Sequence, residues 1–289
     1  MRVICVDIHR EKEALSDILI SSDDENDIFI DRRPRVIKER INYFETLDDL
    51  DFIMRFRLSK NSVEELLLEI EHDLQQATQR NHAIQHRIQL LLTLRYYATG
   101  SFLISAGDFS GVSKTSTHRI AHRVTAAIAR LARRDIKLPT SAEERAVAQV
   151  DFYATARFPR VISALDCTHV KVQSFSGNDA EVFRNRKGYF SINGIILADG
   201  GYALKPYLIT PIQNLQTPAE ILFNESQIRT RKNIERTFGF WKRRFPCLVA
   251  GMRFSVSHVL PVIVATAVLH NKARMAAETM PPDDPLLNI

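Results

Sequence analysis

Three acidic residues could do chemistry together. Asp166 closes the apolar run of VISALD, Asp199 closes Ile195-Ile196-Leu197-Ala198 at a Gly-Gly turn, and Glu235 lies inside NIERTFG. Hard divalent cations prefer carboxylate oxygens, and Mg2+ is usually held by few protein carboxylates, with water and phosphate completing its shell. Two such ions about 4 Å apart activate a water and stabilise the leaving oxygen of a phosphodiester. Each acid also has an ordinary reading. Aspartate is a common turn residue at a strand end. From Arg229 to Arg244 there are seven bases and one acid, so Glu235 alone reads as an ion-pair partner. The trio is more telling than its parts.

Basic residues flank these acids. Arg231, Glu235, Phe238 and Lys242 share one helical face at spacings of three and four. Upstream, SAGDFSGVSKTSTHRIAHRV reads as a short helix, a tight turn at Gly111-Val112-Ser113 and a second helix capped by Ser113 or Thr115. That helix-turn-helix leaves Lys114, Ser116, His118, Arg119 and Arg123 near the exposed start of the second helix. Such a helix can enter a DNA major groove, with its bases on phosphates. An ordinary helical hairpin with a charged outer face has the same pattern.

The elements that must position these residues are mixed, α+β. DDLDFIMRFRLSKNSVEELLLEIEHDL predicts a short helix, a break and a second helix capped by Ser59, with Val63, Leu66, Leu67 and Ile70 on one face. HAIQHRIQLLLTLRYYATG predicts a helix stopped by Gly100. In the second helix of the hairpin, Ile120, Val124, Ile128 and Leu131 form a stripe, and Phe109 packs inward from the first. After Pro139 the character changes. VISALDCTHVKVQSF reads as a strand and Tyr189 to Leu197 as a second extended stretch. NESQIRTRKNIERTFGFWKRRF is helical, and VSHVLPVIVATAVLHNKARMAAE closes the chain as a buried helix with Pro261 in its first turn.

Composition sets the outer bounds. At 289 residues, 45% hydrophobic and 25% charged, the chain has the make-up of a globular protein. It lacks the apolar run of about 20 residues that spans a bilayer, and MRVICVDIHREKEALSD lacks the apolar core of a secretory signal. Cys5, Cys167 and Cys247 are spaced for neither a disulfide framework nor a zinc site. The net charge of +5 is uneven: residues 1–30 carry −5, so the remainder carries +10. A basic body suits a polyanion such as nucleic acid, or is simply a scattered solvated surface.

Taken together, FRLSKNSVEELL, LRYYATGSF, GVSKTSTHRIAHRV, FPRVISALDCTHV, FRNRKGYFSIN, LADGGYALKPYLITP and NESQIRTRKNIERTFGFWKRRFPCL resemble the PIF/Harbinger-type DDE transposases and the nucleases derived from them. The resemblance implies a weakly ordered segment over 1–45, a helical helix-turn-helix DNA-binding region over 46–137, and an RNase H-like DDE nuclease domain over 138–280. It implies that Asp166, Asp199 and Glu235 hold Mg2+ or Mn2+ as catalytic acids. Arg184, Arg186 and Lys187 of FRNRKGY would join Lys114, Ser116, His118, Arg119, Arg123, Arg231 and Lys242 in contacting DNA. The implied partners are DNA, a Myb/SANT-like DNA-binding protein and, as an open alternative, a second copy of the chain. The implied location is the nucleus, with the cytoplasm as a further one, although a basic cluster such as Lys242–Arg244 serves equally as a phosphate-contacting or solvated face.

The sequence departs from the family at one place. Asp166 and Asp199 are only 33 residues apart, whereas Asp199 and Glu235, 36 apart, match the family's final spacing. In the family, a Gly-Ser-x-His-Asp-Ser-like segment with a further metal-binding aspartate lies between the SIN strand and the Gly-Asp strand. Here SIN runs straight into GIILADGGY, so several dozen residues are missing at Asn193-Gly194, and the nuclease domain is read as truncated. Ser163 and Ala198 stand where glycines are usual. Two functions follow: a metal-dependent DNA endonuclease, or a catalytically inactive DNA-binding or protein-interaction module of the same descent.

Overall fold

A computed structural model describes residues 40–75, 83–163, 166–173, 184–185, 187–196 and 211–281, with 166–167, 193–196 and 256 described by backbone alone. Asp199, Arg186, Ala198 and nearly all of the N-terminal segment lie outside these residues. The described residues are mostly helical with one small sheet, which agrees with an α+β class.

The first half is a helical body. After the single turn α1 (Tyr43–Thr46), α2 (Asp49–Phe56) starts on Asp48, whose carboxylate accepts from the Asp51 N–H. It stops at Arg57, in the left-handed region at φ 66°. Ser59 then caps α3 (Lys60–Leu74), which buries Val63, Leu66, Ile70 and Leu74 at helical spacing. The central helix α4 (His86–Thr99) is buried nearly all round from Gln89 to Ala98, as a helix enclosed by others must be. Gly100 ends it at φ 62°, where a Cβ would also come within 2.6 Å of Ala250 Cβ.

The expected hairpin is present as two helices, α5 (Leu103–Phe109) and α6 (Lys114–Arg130). Ser113 caps α6 by accepting from the Ser116 N–H, and Ile120, Val124 and Ile128 face inward. The helices approach closely at Gly107, where a Cβ would lie 2.4 Å from Thr117 Oγ1. A short α7 (Ala132–Asp135) follows.

The second half begins with a helix that periodicity did not reveal, α8 (Ala142–Ala156). Its start is written in the sequence as a capping box, with the Ser141 hydroxyl on the Glu144 N–H and the Glu144 carboxylate on the Ser141 N–H. Next come β1 (Asp166–Lys171) and β2 (Ser191–Ile196), paired antiparallel from Asp166↔Ile196 to Lys171↔Ser191. Asp166 therefore opens a strand, a correction to the expectation that it closes one. The period-two alternation that makes a strand lies downstream: Thr168, Val170 and Val172 are buried, while His169 and Lys171 are exposed.

α9 (Pro218–Arg244) runs 27 residues from a second capping box at Thr217 and Glu220, with Pro218 at its first position. α10 (Cys247–Ala250) and α11 (Val256–Met275) follow. Pro261 is the sixth residue of α11, not in its first turn. The helix starts earlier than the proline suggests, directly after Ser255.

One hydrophobic cluster runs through both halves, from Phe52 and Phe56 to Leu269 and Ala273. α11 packs on α6, α4 packs on α10, and α9 packs on α8, β1 and α11. A buried clasp joins the ends. Arg244, fully buried, donates to the Arg57 carbonyl at 2.8 Å and to Glu278 at 3.2 Å, and Glu278 accepts from the Ser59 N–H and hydroxyl. Burial lowers the Arg244 pKa, while the adjacent Glu278 carboxylate opposes that shift.

Candidate active site and nucleic-acid face

The frame of the candidate acidic site is the packing of α9 on β1. Phe238 and Trp241 turn inward from α9. One step beyond them, Lys242 donates to the His169 carbonyl of β1 at 2.7 Å. Burial lowers the Lys242 pKa, as expected for an ammonium drawn under a strand. Lys242 thus anchors a strand, and Arg244 lies wholly inside the clasp. Arg244 is therefore no part of a solvated surface cluster, which corrects that reading for Arg244, while Lys242 is half-buried beside β1.

Two sets of contacts tie β1 to the segment that holds it. Lys242 meets His169, and farther along both segments Val172 bridges Met252 in parallel, with Met252 N–H on the Lys171 carbonyl and Gln173 N–H on the Met252 carbonyl. Glu235 lies seven residues back along α9 from Lys242, about 10.5 Å at 1.5 Å per residue and on nearly the same helical face. Asp166 lies three residues back along β1 from His169, about 10 Å at 3.3 Å per residue. Ile196, the last residue of β2, is opposite Asp166.

Glu235 is not idle. Arg231 donates to its Oε1 from Nη2 at 3.0 Å and from Nε at 3.3 Å, one turn away on an exposed face. This is the ion pair that the run of bases foretold. Both hydrogen bonds end on Oε1.

The basic turn before β2 is tightly tied. Asn185 accepts from the Lys187 N–H through its side chain at 2.9 Å and from the Gly188 N–H through its carbonyl at 2.9 Å. Arg184 donates to the Gly188 carbonyl and lies over the Phe190 ring at 4.6 Å. Asn185 also donates to Ser191, which in turn bonds the His169 ring at 3.0 Å. That His169–Ser191–Asn185 chain was missed by sequence reasoning, because cross-strand partners show only once the register is known. The register puts this turn beside Lys171↔Ser191, at the opposite end of the ladder from Asp166, about 17 Å away along the strand.

On α6, Lys114, His118 and Arg119 are exposed and Ser116 is half-exposed, its N–H held by the Ser113 cap. Arg123 is half-buried, with its Nη1 enclosed and lacking a hydrogen-bond partner among the described residues. His122, one turn beyond His118, is kept neutral. Burial, then the neighbouring His258 and His118, lowers its pKa to about 3.

Comparison with known proteins gives a consistent result. Residues 193–271 match a family model described as a DDE superfamily endonuclease. The chain is 28% identical to "Putative nuclease HARBI1" of Homo sapiens over 246 aligned positions, covering 69% of this chain and 70% of the relative. The Bos taurus protein of that name is 28% identical over 245 positions, covering 68% and 70%, and the Rattus norvegicus one 29% over 247, covering 68% and 70%. No solved structure matches the chain.

Proposed function

We propose, for a chain that is a Harbinger transposase-derived member of the DDE nuclease family, that it is a metal-dependent DNA endonuclease acting through Asp166, Asp199 and Glu235. The observation that carries this reading is the packing of α9, which bears Glu235, on β1, which opens at Asp166. Asp199 follows Ile196, the partner of Asp166, by three residues, and three residues of chain reach no farther than about 10 Å. The donor set fits the group that the family generally uses, because carboxylates are the ligands that Mg2+ and Mn2+ prefer. Bound there, two such ions would supply an activated water and stabilisation of the leaving oxygen.

The chain's own residues have separate tasks in this reading. Arg231 holds Glu235 in place until the acid is needed, then becomes available to a phosphate. Lys242 fixes β1 against α9 from beneath. Lys114, Ser116, His118, Arg119 and Arg123 on α6, with Arg184, Arg186 and Lys187, contact the DNA backbone, and a Myb/SANT-like partner in the nucleus selects the site.

A second reading has its own support. The human alignment runs over 246 positions but takes up only 69% of the 289 residues, so several dozen positions of the relative have no counterpart here. The family match starts at residue 193, the point of the apparent fusion. A chain that lacks a strand and an acid would bind DNA or a partner without cutting. Plasmid nicking by the purified chain with Mn2+ separates the two. Cleavage that is lost in Asp166→Ala and Glu235→Ala supports the enzyme, and binding without cleavage supports the module. Sequencing the transcript across codons 193 and 194 shows whether a longer form exists.

A further inference from the structure

His118 and His122 are four residues apart on α6, so both imidazoles project from one face. Their Nε2 atoms are 3.1 Å apart. Two nitrogens on one tetrahedral zinc, each at 2.0–2.1 Å, are separated by about 3.4 Å, so the pair already stands near chelating distance. His258, in the first turn of α11, comes from a different element. Its ring centroid is 4.0 Å from that of His122 and 6.3 Å from that of His118. Its Nδ1 is bonded to the Ser255 hydroxyl at 2.7 Å, which leaves Nε2 open. Metal-bound histidines are oriented in this manner, with the second ring nitrogen held by a polar neighbour. Phe254 shields the group, its ring 5.3 Å from that of His122.

We propose that His118, His122 and His258 bind one transition-metal dication, Zn2+ in the first instance, at a site separate from the acidic one. Imidazole nitrogens suit zinc, copper and nickel, whereas Mg2+ requires oxygen. Among the described residues no three such side chains yet surround one point. The α6 pair is preformed, and His258 joins it by turning its ring, with water in the fourth position. Without the ion the two Nε2 atoms share an N–H···N bond, and the ion would take both Nε2 lone pairs with the donor ring carrying its proton on Nδ1 instead. The bound ion ties the first turns of α6 to the first turn of α11. It thereby fixes the orientation of Lys114 and Arg119, on the basic face, relative to the C-terminal helix.

Calorimetric titration of the EDTA-treated full chain with ZnCl2, with Co2+ absorption as the spectroscopic readout, tests this. The expected result is one histidine-dependent ion per chain, visible four-coordinate cobalt bands, and a rise in Tm with Zn2+ that is lost in His258→Asn. His118→Asn and His258→Asn each weaken uptake by about tenfold or more, and Ser255→Ala by roughly tenfold, the scale of an outer-shell loss. His118 is exposed, so its variant folds. Asp166→Ala and Glu235→Ala leave zinc uptake unchanged, which separates this site from the nuclease reading. No uptake by the unaltered chain, or uptake undiminished in either histidine variant, overturns the proposal.

Discussion

Asp135 shows how much one side chain depends on its neighbours. Burial alone would raise its pKa, but hydrogen bonds from Arg134 and the charges of Lys272 and Arg134 outweigh burial and leave it below its ordinary value. Glu69, which shares Lys272 and Arg134, is lowered in the same way. An acid whose folded pKa lies below its unfolded one stabilises the fold above the unfolded value, about 3.9 for aspartate, and loses that contribution as pH falls through the folded pKa. Urea midpoints should therefore hold between pH 5 and 7, taken as roughly the plateau, and drop below about pH 4. Asp135→Asn should flatten that acid limb. At this scale the sequence spoke clearly where the chemistry is local. Ser59, Ser113 and Gly100 were readable as caps because each acts within a turn of its own position. Lys242 was not, because its partner is a carbonyl 73 residues away.

Two glycines inside helices make opposite demands on the same substitution. Alanine normally stabilises a helix interior by about 0.5–1 kcal/mol relative to glycine. At Gly239 on α9 a Cβ meets nothing within 4 Å, so Gly239→Ala should raise Tm. At Gly107 on α5 a Cβ would lie 2.4 Å from Thr117 Oγ1 and 2.8 Å from the Val112 carbonyl. Overpacking of that kind costs about 1–3 kcal/mol, so Gly107→Ala should lower Tm despite the better helix propensity. Thermal melts of both variants check the pair. α8 shows what periodicity misses. Val147, Val150 and Tyr153 are exposed, and only Phe152 and Ala156 are buried, so its apolar residues trace no core stripe. The Ser141–Glu144 box was the available signal.

The halves that composition and motif separate near residue 137 share one interior. α4 and α6 bury their faces against α10 and α11, and the Arg244–Glu278 clasp closes over Arg57 and Ser59. A fragment ending at residue 137 would leave α6 without α11, the helix it packs on. It should show helical circular dichroism without a cooperative thermal transition, whereas the full chain melts in one step. Patterning along the chain could not foretell this, since it reports which face of a helix is apolar and not which distant helix covers it. The same limit applies to the acids: their residue types were legible, but the packing of α9 on β1 was not.

Lys242 and Met252 grip β1 without help from anything between Asn193 and Gly194. A longer or shorter connection at that junction would consequently leave the anchoring of β1 unchanged. Length variation there is separable from the packing that holds the strand against the helical body.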